Sequence, residues 1–78
     1  MYKNIVKKWV FGYIHYEEHG ITSHHLETKL KLRRQSRDWF RPEYLSTALT
    51  ELAEEGLVLS YHSDNTNSII WKSALNEL

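Results

Sequence analysis

Six cations stand between residues 29 and 41, as Lys29, Lys31, Arg33, Arg34, Arg37 and Arg41, against the single acid Asp38. Guanidinium groups at that density can hold phosphate bidentately, and phosphate contacts are what position a protein on a duplex. A solvated loop balancing nearby acids would read the same way. Just downstream, Ser46, Thr47 and Thr50, with Tyr44 on the flank, offer hydroxyls at helical spacing that can reach phosphates or base edges. Glu43, Glu51, Glu54 and Glu55 make this stretch net negative, with no Lys or Arg between Pro42 and Tyr61. Glu43 suits the positive end of a helix, and a Glu can accept from cytosine N4. A plain solvent-exposed face accounts for the same acids. Trp39 and Phe40 lie inside the basic stretch. Aromatics among arginines can stack on unpaired bases, but in so short a chain their commoner role is to plug a gap between helices.

A second constellation is His15-Tyr16-Glu17-Glu18-His19, which fits the H-x-x-E-H zinc-hydrolase spacing. Such an enzyme needs a third ligand and a cleft, and Gly20 stops the helix at once. His24-His25 places adjacent rings on different sides of a helix, a poor chelate. No nucleophile, base and orienting group recur together, and no glycine-rich loop cradles a phosphate. We therefore expect no enzyme, no cofactor and no metal.

The whole chain is 78 residues with ten Lys and Arg, ten Asp and Glu, and no cysteine. A zero net charge excludes non-specific capture of nucleic acid by a global field, so charge-driven binding must be local. Disulfides and Cys-ligated zinc are excluded, which agrees with a reducing cytoplasm. The longest apolar run, residues 9–14 with glycine counted, falls far short of the ~20 residues that span a bilayer. Lys7 and Lys8 interrupt the place of a signal-peptide core, so a cytoplasmic location is expected.

These groups must be positioned by a few short elements. Residues 2–19 read as a helix with Tyr2, Ile5, Val6, Trp9, Val10, Tyr13 and Tyr16 on one face. Lys3, Asn4, Lys7, His15 and Glu18 fall opposite, and Phe11 and Ile14 sit among these polar positions. Thr22 or Ser23 caps a second helix over about 22–32, with Leu26 and Leu30 inside. Continuing it would bury Arg33, so it ends near Leu32. Residues 33–41 read as a loop. Pro42 opens a third helix over about 42–55, whose core stripe is Leu45, Ala48, Leu49 and Leu52, and Gly56 ends it. Residues 57–62 and 68–72 form a β-hairpin around a polar tip. The tip carries no cation, Asp64 repels phosphate, and Asn65 can still hydrogen-bond to a nucleic-acid backbone. Residues 73–78 begin a last helical turn.

The order, a single domain over 1–78, resembles the winged helix-turn-helix superfamily. Ile21-Thr22-Ser23 before the second helix carries the resemblance, as does the run Leu45, Leu49, Leu52, Gly56-Leu57-Val58. In that family a glycine turns the third helix directly into the first wing strand, and MarR-like and PadR-like bacterial regulators look similar over this stretch. The resemblance implies an α+β fold: a three-helix winged helix-turn-helix with a C-terminal two-stranded β-hairpin wing over about 57–72.

It also implies sequence-specific binding of double-stranded DNA by a small transcriptional regulator of bacterial, phage or plasmid type. The third helix would lie in the major groove. The expected DNA-binding residues are Lys31, Arg33, Arg34, Arg37, Arg41, Tyr44, Ser46, Thr47, Thr50 and Asn65. The alternative is a protein-interaction winged helix, which the neutral wing and the acidic third helix favour. Two large apolar residues on one polar face suggest a homodimer through Phe11, Ile14, Leu75 and Leu78. The internal alternative folds the C-terminal leucines back onto Phe11 and Ile14.

Overall fold

The computed structural model describes residues 2–63 and 68–77. Helix α1 spans Tyr2–Tyr16, a short strand β1 Ile21–Thr22, α2 Ser23–Leu32 and α3 Pro42–Glu54. Strands β2, Val58–His62, and β3, Ile69–Ser73, follow, and a 3₁₀ turn occupies Ala74–Glu77.

The buried line of α1 is Val6, Val10 and Ile14, each fully enclosed. It packs on Leu45, Ala48, Leu49 and Leu52 of α3, with Leu26 and Leu30 of α2, Ile21 and Val58 completing one core. The core face is thus rotated from the expected one. Ile14 is inside, while Ile5 and Tyr16 lie outside. Ile14 is therefore a core residue and is not available to a dimer interface. Phe11 is partly buried against the same core and stacks on His15 at 5.8 Å between centroids.

Helix α1 stops at Tyr16, three residues earlier than its pattern suggests. The Glu17 N–H is shared between the carbonyls of Tyr13 and Ile14 at 3.3 and 3.2 Å, tightening the last turn. Gly20 then takes a positive φ of 97°. A Cβ there would stand 2.3 Å from Ile70 Cγ2, so the chain crosses β3 where only glycine fits. That crossing lets Ile21 pair with Trp71 and Thr22 with Ile70. The sheet accordingly has three antiparallel strands in the order β1-β3-β2, one more than the expected two-stranded hairpin.

Thr22 also caps α2, its hydroxyl accepting from the His25 N–H at 3.1 Å, and Ser23 accepts from the Trp71 indole at 2.8 Å. At the other end of the fold, α3 terminates in a Schellman motif. Gly56, at φ 75°, donates to Ala53, and Leu57 donates to Leu52, both at 3.0 Å. This turns α3 into β2 through a three-residue turn over 55–57. The hairpin pairs Val58 with Ser73 through to His62 with Ile69, and the Ser63 N–H donates to the Ser68 carbonyl at 2.8 Å.

The C-terminal turn folds back onto α1. The Asn76 amide donates to the His15 carbonyl at 3.0 Å, and His15 Nδ1 lies 3.1 Å from the buried Ser73 hydroxyl. Leu75 is half exposed, and Leu78 lies outside the described residues. Among the described residues, no helix is long and apolar enough to cross a membrane.

Candidate nucleic-acid interface

The basic stretch begins in α2 and runs through residues 33–41 to the start of α3. It is a wound connection built on Ser36, which is fully buried. The Ser36 hydroxyl donates to the Leu30 carbonyl at 2.8 Å, satisfying one of the last carbonyls of α2. Arg37 donates its N–H to the Arg33 carbonyl at 2.8 Å, and Phe40 to Ser36 at 2.7 Å, so two helical turns succeed one another. Trp39 fastens the outer end. Its ring stacks on Trp9 of α1 at 6.1 Å and lies tilted against Tyr44 of α3 at 6.2 Å. Trp39 and Phe40 are packed against the core, the plugging role.

The cations divide into two sets. The Arg33 guanidinium lies over the Trp9 ring at 4.0 Å and donates to the Tyr13 hydroxyl at 2.7 Å. Its Nε is buried without a partner among the described residues. The cost of desolvation predicts this arginine outside. Instead the helix ends at Leu32 and the aromatic faces of α1 take the charge in. Arg33 is thus a packing residue and not a free phosphate ligand. Lys29 lies over Tyr13 at 5.4 Å, and Lys31 reaches Glu27 at 3.6 Å, one turn back. Arg34, Arg37 and Arg41 are exposed, and no ion pair engages them among the described residues. Arg41 is the N-cap of α3 and is exposed.

On α3, Leu45, Ala48, Leu49 and Leu52 face the core, which leaves Ser46 and Thr50 exposed and Thr47 half-buried. The Thr50 hydroxyl donates to the Ser46 carbonyl at 2.9 Å, leaving its oxygen free to accept. Tyr44 is partly buried with its ring against Trp39, so it belongs with the packing residues and not with the outer face.

The four acids of this region divide in the same way. Lys7 of α1 binds Glu55 at 2.6 Å and Glu51 at 3.5 Å. The hydrogen bond to Glu55 holds the Lys7 ammonium above its ordinary range; partial desolvation opposes it, and the Glu55 and Glu51 charges add to it. The outer line of α3 then reads Glu43, Ser46, Thr47, Thr50 and Glu54, less acidic than the sequence alone suggests.

The hairpin tip, with Asp64 and Asn65, lies outside the described residues. Thr22, Ser23, His24, Ser68 and Ile69 line a recess of about 300 Å³, bringing the first turn of α2 next to the start of β3. The H-x-x-E-H run straddles the end of α1. His15 is within the helix and engaged at Ser73, and His19 lies beyond it. Among the described residues, no three His, Cys, Asp or Glu groups converge as a metal site.

Ser36, Trp9, Tyr13 and Lys7 are not among the site residues expected from sequence, although they decide which charges are free. Only the position of Ser36 just past the end of a helix hints at its role. No protein-family model matches the chain, and neither a curated protein nor a solved structure matches it.

Proposed function

We propose that the chain is a winged-helix protein that binds double-stranded DNA sequence-specifically, as a small transcriptional regulator working in the cytoplasm. One observation carries this reading. Three exposed arginines, Arg34, Arg37 and Arg41, stand on a connection pinned by Ser36 and Trp39 immediately ahead of a helix with Ser46, Thr47 and Thr50 along its open side. The short turn from α3 into β2 through Gly56 supports the family resemblance on which the docking geometry rests.

In this reading α3 enters the major groove and the arginines hold phosphates at its N-terminal end, with Lys31 at the margin. Thr47 and Thr50, about one turn apart, approach base edges with Ser46. Asn65, outside the described residues, is a further expected contact to the DNA backbone.

The test is a titration with duplex DNA at two or more salt concentrations. Replacing Arg34, Arg37 or Arg41 by Ala should weaken binding to all sequences alike. Each replacement should also flatten the salt dependence by about one log unit per log salt, the effect of one phosphate no longer neutralised. Thr47→Ala and Thr50→Ala should alter sequence preference more than salt slope. A protein-interaction module is the second reading, favoured by the zero net charge and by Glu43 and Glu54 on the outer line. Affinity for DNA that is absent at low salt decides for it.

A further inference from the structure

A strand at the margin of a sheet leaves half of its backbone N–H and C=O groups without a ladder partner. The order β1-β3-β2 makes β2 such a strand. Hydrogen bonds at the two ends of the hairpin fix which of its groups face outward. Ser63 donates to the Ser68 carbonyl at one end, and Ala74 donates to the Leu57 carbonyl at the other. Antiparallel ladders alternate, so Leu59 and Tyr61 bond to β3, while Val58, Ser60 and His62 direct their N–H and C=O groups away from it. Ser60 and His62 are exposed, and among the described residues their backbone groups bond to nothing on that side.

Edges are commonly guarded by a lysine, a proline or a bulge. This one has none of them. Its sequence is Val-Leu-Ser-Tyr-His, and it pairs residue for residue with β3 along its whole length. Leu59 is 38% exposed and Tyr61 43% exposed. As alternate residues they share one face of the sheet, the face opposite to that of the buried Val58.

We propose that the free edge of β2 pairs antiparallel with β2 of a second copy about a two-fold axis at Ser60, joining the two sheets into one of six strands. The edge is complementary to itself. The axis sets Ser60 against Ser60 and Val58 against His62, so all three outward positions find backbone partners. It also sets Leu59 of each copy directly opposite Tyr61 of the other, so each exposed apolar side chain covers its counterpart. Moving the axis to Leu59 or Tyr61 opposes that residue to itself and carries the other past the strand, onto Leu57 or Ser63. The strand holds no Lys, Arg, Asp or Glu, so a second copy brings no like charge to the seam, and a charged foreign strand finds no ion pair there. Lys72, which lies over Tyr61 at 5.5 Å, is one strand back from the edge. The Lys72 residues of the two copies then stand three strand spacings apart, about 14 Å, beyond the range of unscreened repulsion. The opposite edge, β1, is two residues long, so the sheet closes at two copies instead of growing. This interface uses neither Phe11 nor Leu75 and is independent of the DNA-binding reading.

Sedimentation equilibrium of the full chain, with amide hydrogen exchange followed by NMR, tests it. A seam of one strand pair is smaller than a standard interface, so the wild type should dimerise with Kd on the order of 100 µM. Between about 10 µM and about 1 mM protein, the Ser60 and His62 amides should then exchange about fourfold more slowly, in proportion to the loss of monomer. Ser60→Pro removes an outward donor and no bond to β3, and should weaken the dimer at least about tenfold. Ser60→Lys and Ser60→Glu leave every backbone group in place but set like charges against each other at the axis, so each alone should also associate at least about tenfold more weakly. An equimolar mixture of those two should recover the association, because only the axis at Ser60 brings the two substituted positions together. A wild type that stays monomeric up to about 1 mM overturns the proposal and leaves the edge to a strand of another protein. A dimer whose Ser60 and His62 amides gain no protection, or a mixture no tighter than its components, also overturns it.

Discussion

Arg33 and Arg37 stand four residues apart in the connection between α2 and α3, and the fold uses them in opposite ways. Arg33 belongs to an inward line with Ser36, Trp39 and Phe40, which lies against Trp9, Tyr13 and the core. Arg37 belongs to an outward line with Arg34 and Arg41, which faces solvent. The inward line carries a desolvated cation held by aromatic faces and a phenol oxygen. The outward line carries charges held in place only through the backbone beneath them. A count of cations therefore overstates the charge a partner can reach. Lys29 and Lys31 reinforce this, because one lies over Tyr13 and the other pairs with Glu27. The two lines also depend on each other. The outward arginines have a fixed place only because the inward residues wind and anchor the turn.

The largest expected difference between the lines is in stability. Arg33→Ala removes a partly desolvated cation–π contact and a charged hydrogen bond to Tyr13, while relieving the orphaned Nε. We expect a net loss of about 1–3 kcal/mol in denaturant unfolding. Arg33→Lys should recover little of it, because a flat guanidinium stacks where an ammonium does not. If Arg33→Ala and Arg37→Ala unfold at the same denaturant concentration, the division between inward and outward lines collapses.

Ser36→Ala comes next, at about 1 kcal/mol, because the Leu30 carbonyl loses its side-chain donor in a buried place. This variant has a second readout. On the proposed DNA-binding reading, loosening the turn should also reduce DNA affinity, although Ser36 itself is buried. A Ser36→Ala protein destabilised as expected but unchanged in DNA binding would separate the winding of the turn from the arginines' role.

Arg37→Ala should change stability by less than about 0.5 kcal/mol, as an exposed substitution without a partner does. Its effect belongs to the binding titration. That asymmetry is only half legible in the sequence. The outward arginines, the α3 core stripe, the Thr22 cap and the Gly56 stop follow from local pattern, because each is set by residues within a turn or two. The helical register does put Arg33 on the buried side of α2, but the groups that take its charge in, Trp9 and Tyr13, are at least 20 residues away and nothing in the basic run reveals them. The face of α1 misreads for a related reason. Ile5 and Tyr16 fit an apolar helical stripe as well as core residues do, yet both are exposed among the described residues, while Ile14 completes the true line with Val6 and Val10. Strand β1 is two residues long and carries no alternation. Its existence depends on Gly20 passing close over Ile70, a contact made by sequence fifty residues downstream.

The same division into engaged and free cations recurs in α1, between Lys7 and Lys8, and there the expected effect is smallest. Lys7 bridges Glu51 of α3 and Glu55 at its C-cap, and Lys8 is exposed without an ion pair among the described residues. The Lys7 pKa is raised above its ordinary value of 10.5, so the folded state holds this proton more tightly than the unfolded chain does. Its contribution to stability is therefore fully present below 10.5 and is lost as pH rises through the higher folded value. Unfolding curves of wild type and Lys7→Gln should differ at neutral pH and converge well above 10.5, whereas wild type and Lys8→Gln should coincide throughout. Both lysines are on the same helix, so the difference between the two pairs of curves isolates the bridge from the general effects of alkali. A Lys7→Gln gap that persists undiminished at high pH would assign its effect to packing of the Lys7 stem against α3 and not to its charge.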